Sequence, residues 1–113
     1  MDLETARQLM AAANPLTVSV CFHCQQCAEK SFKAVIAAAE LGIERTHDLE
    51  RLRHVCAVRH ASLAGLGLGD LTTYAVETRY PDDLYIPPVE EAREALCLAE
   101  TVHLAVRRCL DMP

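Results

Sequence analysis

The chain has 113 residues, 51% apolar but only 4% aromatic and without Trp, and a formal charge of −5. One domain of this size holds a real core, here built from Ala, Leu, Val and Cys, and small side chains suit closely packed helices better than a β-sandwich. The net acidity argues against a broad footprint for duplex nucleic acid, which wants a basic surface, and no run approaches the ~18 apolar residues of a membrane span.

The first predicted element is a short helix from Asp2 to Ala13, with Leu3, Ala6, Leu9, Met10 and Ala13 on one side. Asn14-Pro15 ends it, because proline disfavours helix in the residue before it. A long helix follows from about Leu16 to Leu41, a stretch with no Gly or Pro, and Gly42 is its natural stop. Thr46 reads as the N-cap of a third helix, His47 to Val58, with Leu49, Leu52, Val55 and Cys56 inward and Asp48 in the first turn. Three glycines in Ala64-Gly65-Leu66-Gly67-Leu68-Gly69 predict a loop. It is no phosphate-binding fingerprint, since it lacks the preceding strand and the following Lys-Ser/Thr. A fourth helix, Asp70 to Thr78, has Asp70 as its candidate cap. Prolines and acids from Tyr80 to Pro88 then predict a long irregular connection. The last helix runs from Val89 to Leu110. Val89, Ala92, Leu96, Ala99, Val102 or His103, Val106 and Leu110 form its stripe, with acids early and Arg107 and Arg108 late, as the helix dipole favours.

The long helix carries the chemistry. At 100° per residue, His23, Gln26, Lys30 and Lys33 share an arc of roughly 80°. Cys21, Cys24, Ala28, Ser31, Phe32, Val35 and Ala39 fall on a wider arc opposite. A row of one imidazole, one amide and two ammonium groups suits a phosphate or a nucleobase. The plain alternative is a solvated face on which Glu29 and Lys33 form an ordinary i,i+4 pair. Cys21, Cys24 and Cys27 are spaced like half of a cluster-binding run, but on a helix successive thiols turn away by about 60°. All six cysteines are therefore read as reduced, small hydrophobes, with no metal and no cofactor. Met1-Asp2-Leu3-Glu4 lacks an apolar export core, so the expected compartment is cytoplasmic. No Ser/His/Asp arrangement or His-Glu-x-x-His motif is present.

Three pieces of the chain together resemble a known family. They are Phe22-His23-Cys24-Gln25-Gln26-Cys27-Ala28-Glu29-Lys30-Ser31-Phe32-Lys33-Ala34, then Thr46-His47-Asp48-Leu49, then Arg79-Tyr80-Pro81-Asp82. The pattern is similar to that of the HEPN domain (higher eukaryotes and prokaryotes nucleotide-binding), F/Y-H-x-Q-Q-x-A-E-K-x-x-K-A, T-H-D/S-L and R-Y-P-D. The resemblance implies one all-α domain over 1–113, an up-down bundle of four to five helices with a long irregular loop before the last. It implies a homodimer of bacterial or archaeal origin, often beside a minimal nucleotidyltransferase in a toxin–antitoxin-like pair. Carried over by position, the ligand-binding candidates are His23, Gln26, Lys30, Lys33, His47, Arg79 and Tyr80, and the ligand is a nucleotide or another phosphate-bearing molecule. Members that cut RNA carry a histidine four to six residues after the arginine. Here Tyr-Pro-Asp-Asp-Leu-Tyr follows Arg79. Leu84 cannot move protons, and a tyrosine titrating near 10 is a poor base at pH 7. This departure argues against ribonuclease activity. The role expected is therefore a nucleotide- or phosphate-binding or a partner-binding module, and the alternatives are a degenerate ribonuclease using Arg79 with His23 or His47, and a structural dimerisation module.

Overall fold

The computed structural model describes residues 1–75 and 85–111. Four α-helices lie within them: α1, Asp2–Met10; α2, Thr17–Ala38; α3, Leu49–Ala57; and α4, Val89–Asp111. Two 3-10 turns, Ala61–Leu63 and Leu71–Tyr74, sit between α3 and α4. No strand occurs among the described residues, and the fold is an all-α bundle.

α2 is the axle. Its freedom from Gly and Pro lets it run 22 residues, and α1, α3, α4 and the second 3-10 turn all pack on it. Val20, Cys21, Cys24, Ala28, Phe32 and Val35 are fully buried along it. They meet Ala92, Ala95, Ala99, Val102 and Val106 of α4, where small side chains let the two rods close up. α4 runs in the same direction as α2. The Thr17 hydroxyl, at the start of α2, donates to the Pro87 carbonyl beside the start of α4 (2.7 Å). At the other end Val35, Ala38 and Ala39 share a cavity with Cys109 and Leu110. Leu110 itself is exposed, so the inward stripe of α4 ends one turn earlier than its spacing predicts.

Helix ends differ from expectation for identifiable reasons. α1 stops at Met10 rather than Ala13, because residues 11 to 14 are exposed and have no core to bury. α2 stops at Ala38, and the first residue to turn the chain is Glu40, with φ 55°; Gly42 follows two residues later with φ 98°. Leu41 N–H reaches the Ile36 carbonyl (3.0 Å) and Glu40 N–H the Ala37 carbonyl (3.2 Å). This is the paired closure of a Schellman motif, and a left-handed Glu costs it ~1–2 kcal/mol. Asp48, not Thr46, caps α3, accepting from Glu50 N–H (3.0 Å), while Thr46 Oγ1 accepts from Asp48 N–H one step earlier (3.0 Å). His47 therefore lies outside the helix. Leu49 N–H is taken by Thr72 Oγ1 (3.0 Å), so the second 3-10 turn serves the start of α3.

The expected fourth helix is, in its described part, only the 3-10 turn Leu71–Tyr74, and Asp70 makes no side-chain cap. Its remainder lies outside the described residues. The glycine-rich run is a loop as expected. At Gly69, φ is +51°, so the backbone favours glycine there, and a Cβ would also press the end of the Leu98 side chain at 2.9 Å. No helix among the described residues is long and apolar enough to cross a membrane.

Candidate functional site

The polar row of α2 is divided between two carboxylates. The first is Asp2, which the short helix α1 lays against the middle of α2. Its Oδ1 accepts from His23 Nδ1 (2.8 Å) and its Oδ2 from Lys30 Nζ (2.7 Å). Burial alone would push Asp2 up; the hydrogen bonds from Lys30 and His23 overrule it and hold the carboxyl below its ordinary range. Lys30 also lines a groove of ≈ 330 Å³ with Leu3, Cys27, Ala34, Val106 and Arg107, largely apolar.

The second carboxylate is Glu29, buried one turn along. Its Oε1 accepts from His47 Nδ1 (2.8 Å) and from Gln25 Nε2 (2.9 Å), and its Oε2 from Lys33 Nζ (2.9 Å). Gln25, fully buried, also donates from Nε2 towards the His47 carbonyl (3.3 Å). Its Oε1 accepts from Gln26 Nε2 (2.7 Å). Burial pushes Glu29 up, and the donors Gln25, Lys33 and His47 together hold it below its ordinary range. An ionised carboxylate only accepts, so His47 carries its proton on Nδ1 and turns Nε2 outward from Glu29. The ring is well exposed, with 63% of its side-chain surface open.

Gln26, Lys33 and His47 are thus brought together from two segments around one acid. His23 and Lys30 are brought together around another. Arg79 and Tyr80 lie outside the described residues. Three participants were not singled out in the sequence: Asp2, Gln25 and Glu29. Glu29 reads locally as half of an exposed i,i+4 pair, yet only 5% of it is exposed. A signal was there. Gln25, Glu29, Phe32 and Ile36 follow one arc of about 60°, and its last two members are core residues. Polar residues continuing an apolar stripe are buried with it. Asp2 has no such signal, because its partners are far away in the chain.

A third carboxylate, Glu91 at the start of α4, accepts from both Tyr74 and Tyr85, the latter at 2.7 Å. Burial pushes the Tyr74 phenol well above its ordinary value, and the bond to Glu91 raises that of Tyr85. Both hydroxyls keep their protons at neutral pH, so Tyr85 is no base there. The α2 thiols are equally quiet. Burial pushes Cys24 up to about 12 and Cys21 to about 11. All six cysteines are free thiols, and no group of His, Cys, Asp or Glu among the described residues is arranged to hold a metal.

Compared with known families, residues 1–109 match the model of the HEPN domain. No curated protein matches the chain, and no solved structure does.

Proposed function

This chain belongs to the HEPN domain family, and we propose that it is a nucleotide- or phosphate-binding module whose ligand lies across Gln26, Lys33 and His47. Family membership supports a nucleotide-binding or ribonuclease-like module in general terms. The observation that carries the finer reading is the buried Glu29, which positions an amide, an ammonium and an imidazole from two segments at one edge of α2. Lys33 supplies charge to a phosphate, and two of its three hydrogens remain after Glu29 takes one. His47 supplies a ring nitrogen. Arg79 and Tyr80 join this set by the family pattern, and His23 and Lys30 stand beside it, tied to Asp2. The same pattern supports a homodimer working with a minimal nucleotidyltransferase subunit in a toxin–antitoxin-like pair.

A thermal-shift panel of nucleotides on the purified chain tests the reading. A ligand at 100 times its dissociation constant stabilises by about 2.7 kcal/mol. Lys33→Ala is expected to abolish that shift while the far-ultraviolet spectrum stays helical. A panel in which no nucleotide moves the melting temperature would overturn the binding role and leave the partner-binding one.

One observation favours a second reading. An exposed imidazole whose Nδ1–H is held by a buried carboxylate is the arrangement of a proton-transfer dyad. In a metal-independent ribonuclease His47 would then stand in for the histidine missing after Arg79. RNA cleavage that survives chelator and disappears in His47→Ala would establish it; intact RNA at high enzyme concentration would exclude it.

A further inference from the structure

The Glu29 network fixes the hydrogen-bond polarity of Gln26. An amide side chain can ordinarily present either its oxygen or its nitrogen to a ligand. Here the choice is made at the neighbouring Gln25. Glu29 and the His47 carbonyl are both acceptors, and both face the same atom of Gln25, at 2.9 and 3.3 Å. That atom must be the nitrogen. Gln25 is fully buried, so its oxygen then has to be met by a donor, and Gln26 Nε2 is that donor at 2.7 Å. Reversing Gln26 alone would set two amide oxygens against each other. Reversing both would set the Gln25 oxygen against a carboxylate and a carbonyl in the core, where an unpaired polar atom costs ~1–3 kcal/mol.

The Gln26 oxygen is what remains. It has no partner among the described residues, and no partnerless side-chain oxygen or nitrogen there is buried. So it reaches the surface, and it does so as an acceptor. Gln26 and Lys33 are seven residues apart, about 10 Å along the helix axis. That separation suits a phosphate on Lys33 and the far edge of a base at Gln26.

We infer that Gln26 is a specificity-determining residue: through its carbonyl oxygen it accepts from the exocyclic amino group of a nucleobase and discriminates against a base edge that offers acceptors only. This rests on the nucleotide-binding reading above and names which nucleotides that site prefers.

The test compares AMP with purine riboside 5′-monophosphate by titration calorimetry on the full chain. The two differ only by the amino group, and without it the base has no hydrogen donor left at neutral pH. AMP is expected to bind about tenfold tighter, the worth of one hydrogen bond at a half-exposed site. In Gln26→Leu the two should come within about twofold of each other, by loss of AMP affinity alone. Equal affinities in the wild-type chain would overturn the assignment, and that comparison needs no variant to fold. Tighter binding of the purine riboside monophosphate would overturn it too, and either result would leave the nucleotide-binding reading intact. Binding of no nucleotide at all would overturn both.

Discussion

Asp2 and Glu29 hold the same set of groups, one imidazole and one ammonium each, and put them to different use. Asp2 joins two helices whose apolar contact is made by Leu3 and Ala6, with Leu9 and Met10 packed beside them. Both of its oxygens are taken, by His23 and Lys30, and no further side-chain hydrogen bond among the described residues extends that network. Glu29 sits deeper and has two amides in series beside it. The first network is a clasp. The second is a clasp with an outlet, because the Gln25–Gln26 chain passes the carboxylate's demand for donors out to the surface. What separates them is not charge but whether a hydrogen-bond chain with a fixed direction leads outward.

The largest expected effect separates the two by stability. Glu29→Ala takes from the buried Gln25 amide its shorter hydrogen bond, leaving only the His47 carbonyl at 3.3 Å, and leaves the half-buried Lys33 without its acceptor. Removing one partner of a buried pair costs several kcal/mol, and since His47 and Lys33 can turn to water we expect roughly 3 kcal/mol here. Asp2→Ala frees Lys30, which is already 67% exposed, and His23, which is 25% exposed; about 1 kcal/mol is expected. Urea denaturation of both variants measures the difference. Equal losses would mean that Glu29 is no more than a second clasp.

The core was legible in the sequence and the acids were not, for a physical reason. Spacing on one helix reports which residues share a face, and it placed Cys21, Cys24, Phe32 and Val35 inside and extended the last helix nearly to its end. It assigned His23, Gln26, Lys30 and Lys33 to one row, as they are. But a row says nothing of what covers it. Asp2 covers it at one place and the segment before α3 at another, through contacts 18 to 28 residues apart in the chain. Helix ends failed on a smaller scale. Gly42 does take a positive φ, but Glu40, two residues earlier, closes the helix in the left-handed conformation as Leu41 packs back on the core. Thr46 accepts from the Asp48 N–H one step before the helix, and Asp48 is the cap itself, so the expected cap stands two residues too early.

Acid should unfold the two networks in sequence. Both carboxyls are held below their ordinary values in the fold, so the unfolded chain binds protons first as pH falls. Each therefore contributes stability that is whole above its ordinary value and is lost as pH drops through its folded-state value. Those ordinary values are 4.5 for Glu29 and 3.8 for Asp2. Urea midpoints measured from pH 7 to pH 3 are expected to start falling near pH 4.5 in the wild type. Glu29→Gln should flatten the first part of that fall and Asp2→Asn only the later part. An unchanged onset in Glu29→Gln would show that its partners do not hold the carboxylate.

The smallest difference in stability is the sharpest in function. Lys30→Met keeps the aliphatic stem and removes a charge from an exposed pair, which is worth at most ~0.5 kcal/mol. Lys33→Met removes a charge that is only 32% exposed and faces a buried acid, and about 1 kcal/mol is expected. These values are close enough that unfolding data alone would not distinguish an ordinary pair from a functional one. Ligand response does. If a phosphate sits on the Glu29 edge, Lys33→Met loses the nucleotide-induced thermal shift and Lys30→Met retains most of it. The reverse result would move the phosphate to the groove between α1, α2 and α4, where Lys30 and Arg107 both stand. It would also break the proposed pairing of a phosphate with the Gln26 acceptor. Lys30 lies only four residues from Gln26, about 6 Å along the axis, too near for the two to hold opposite ends of one nucleotide.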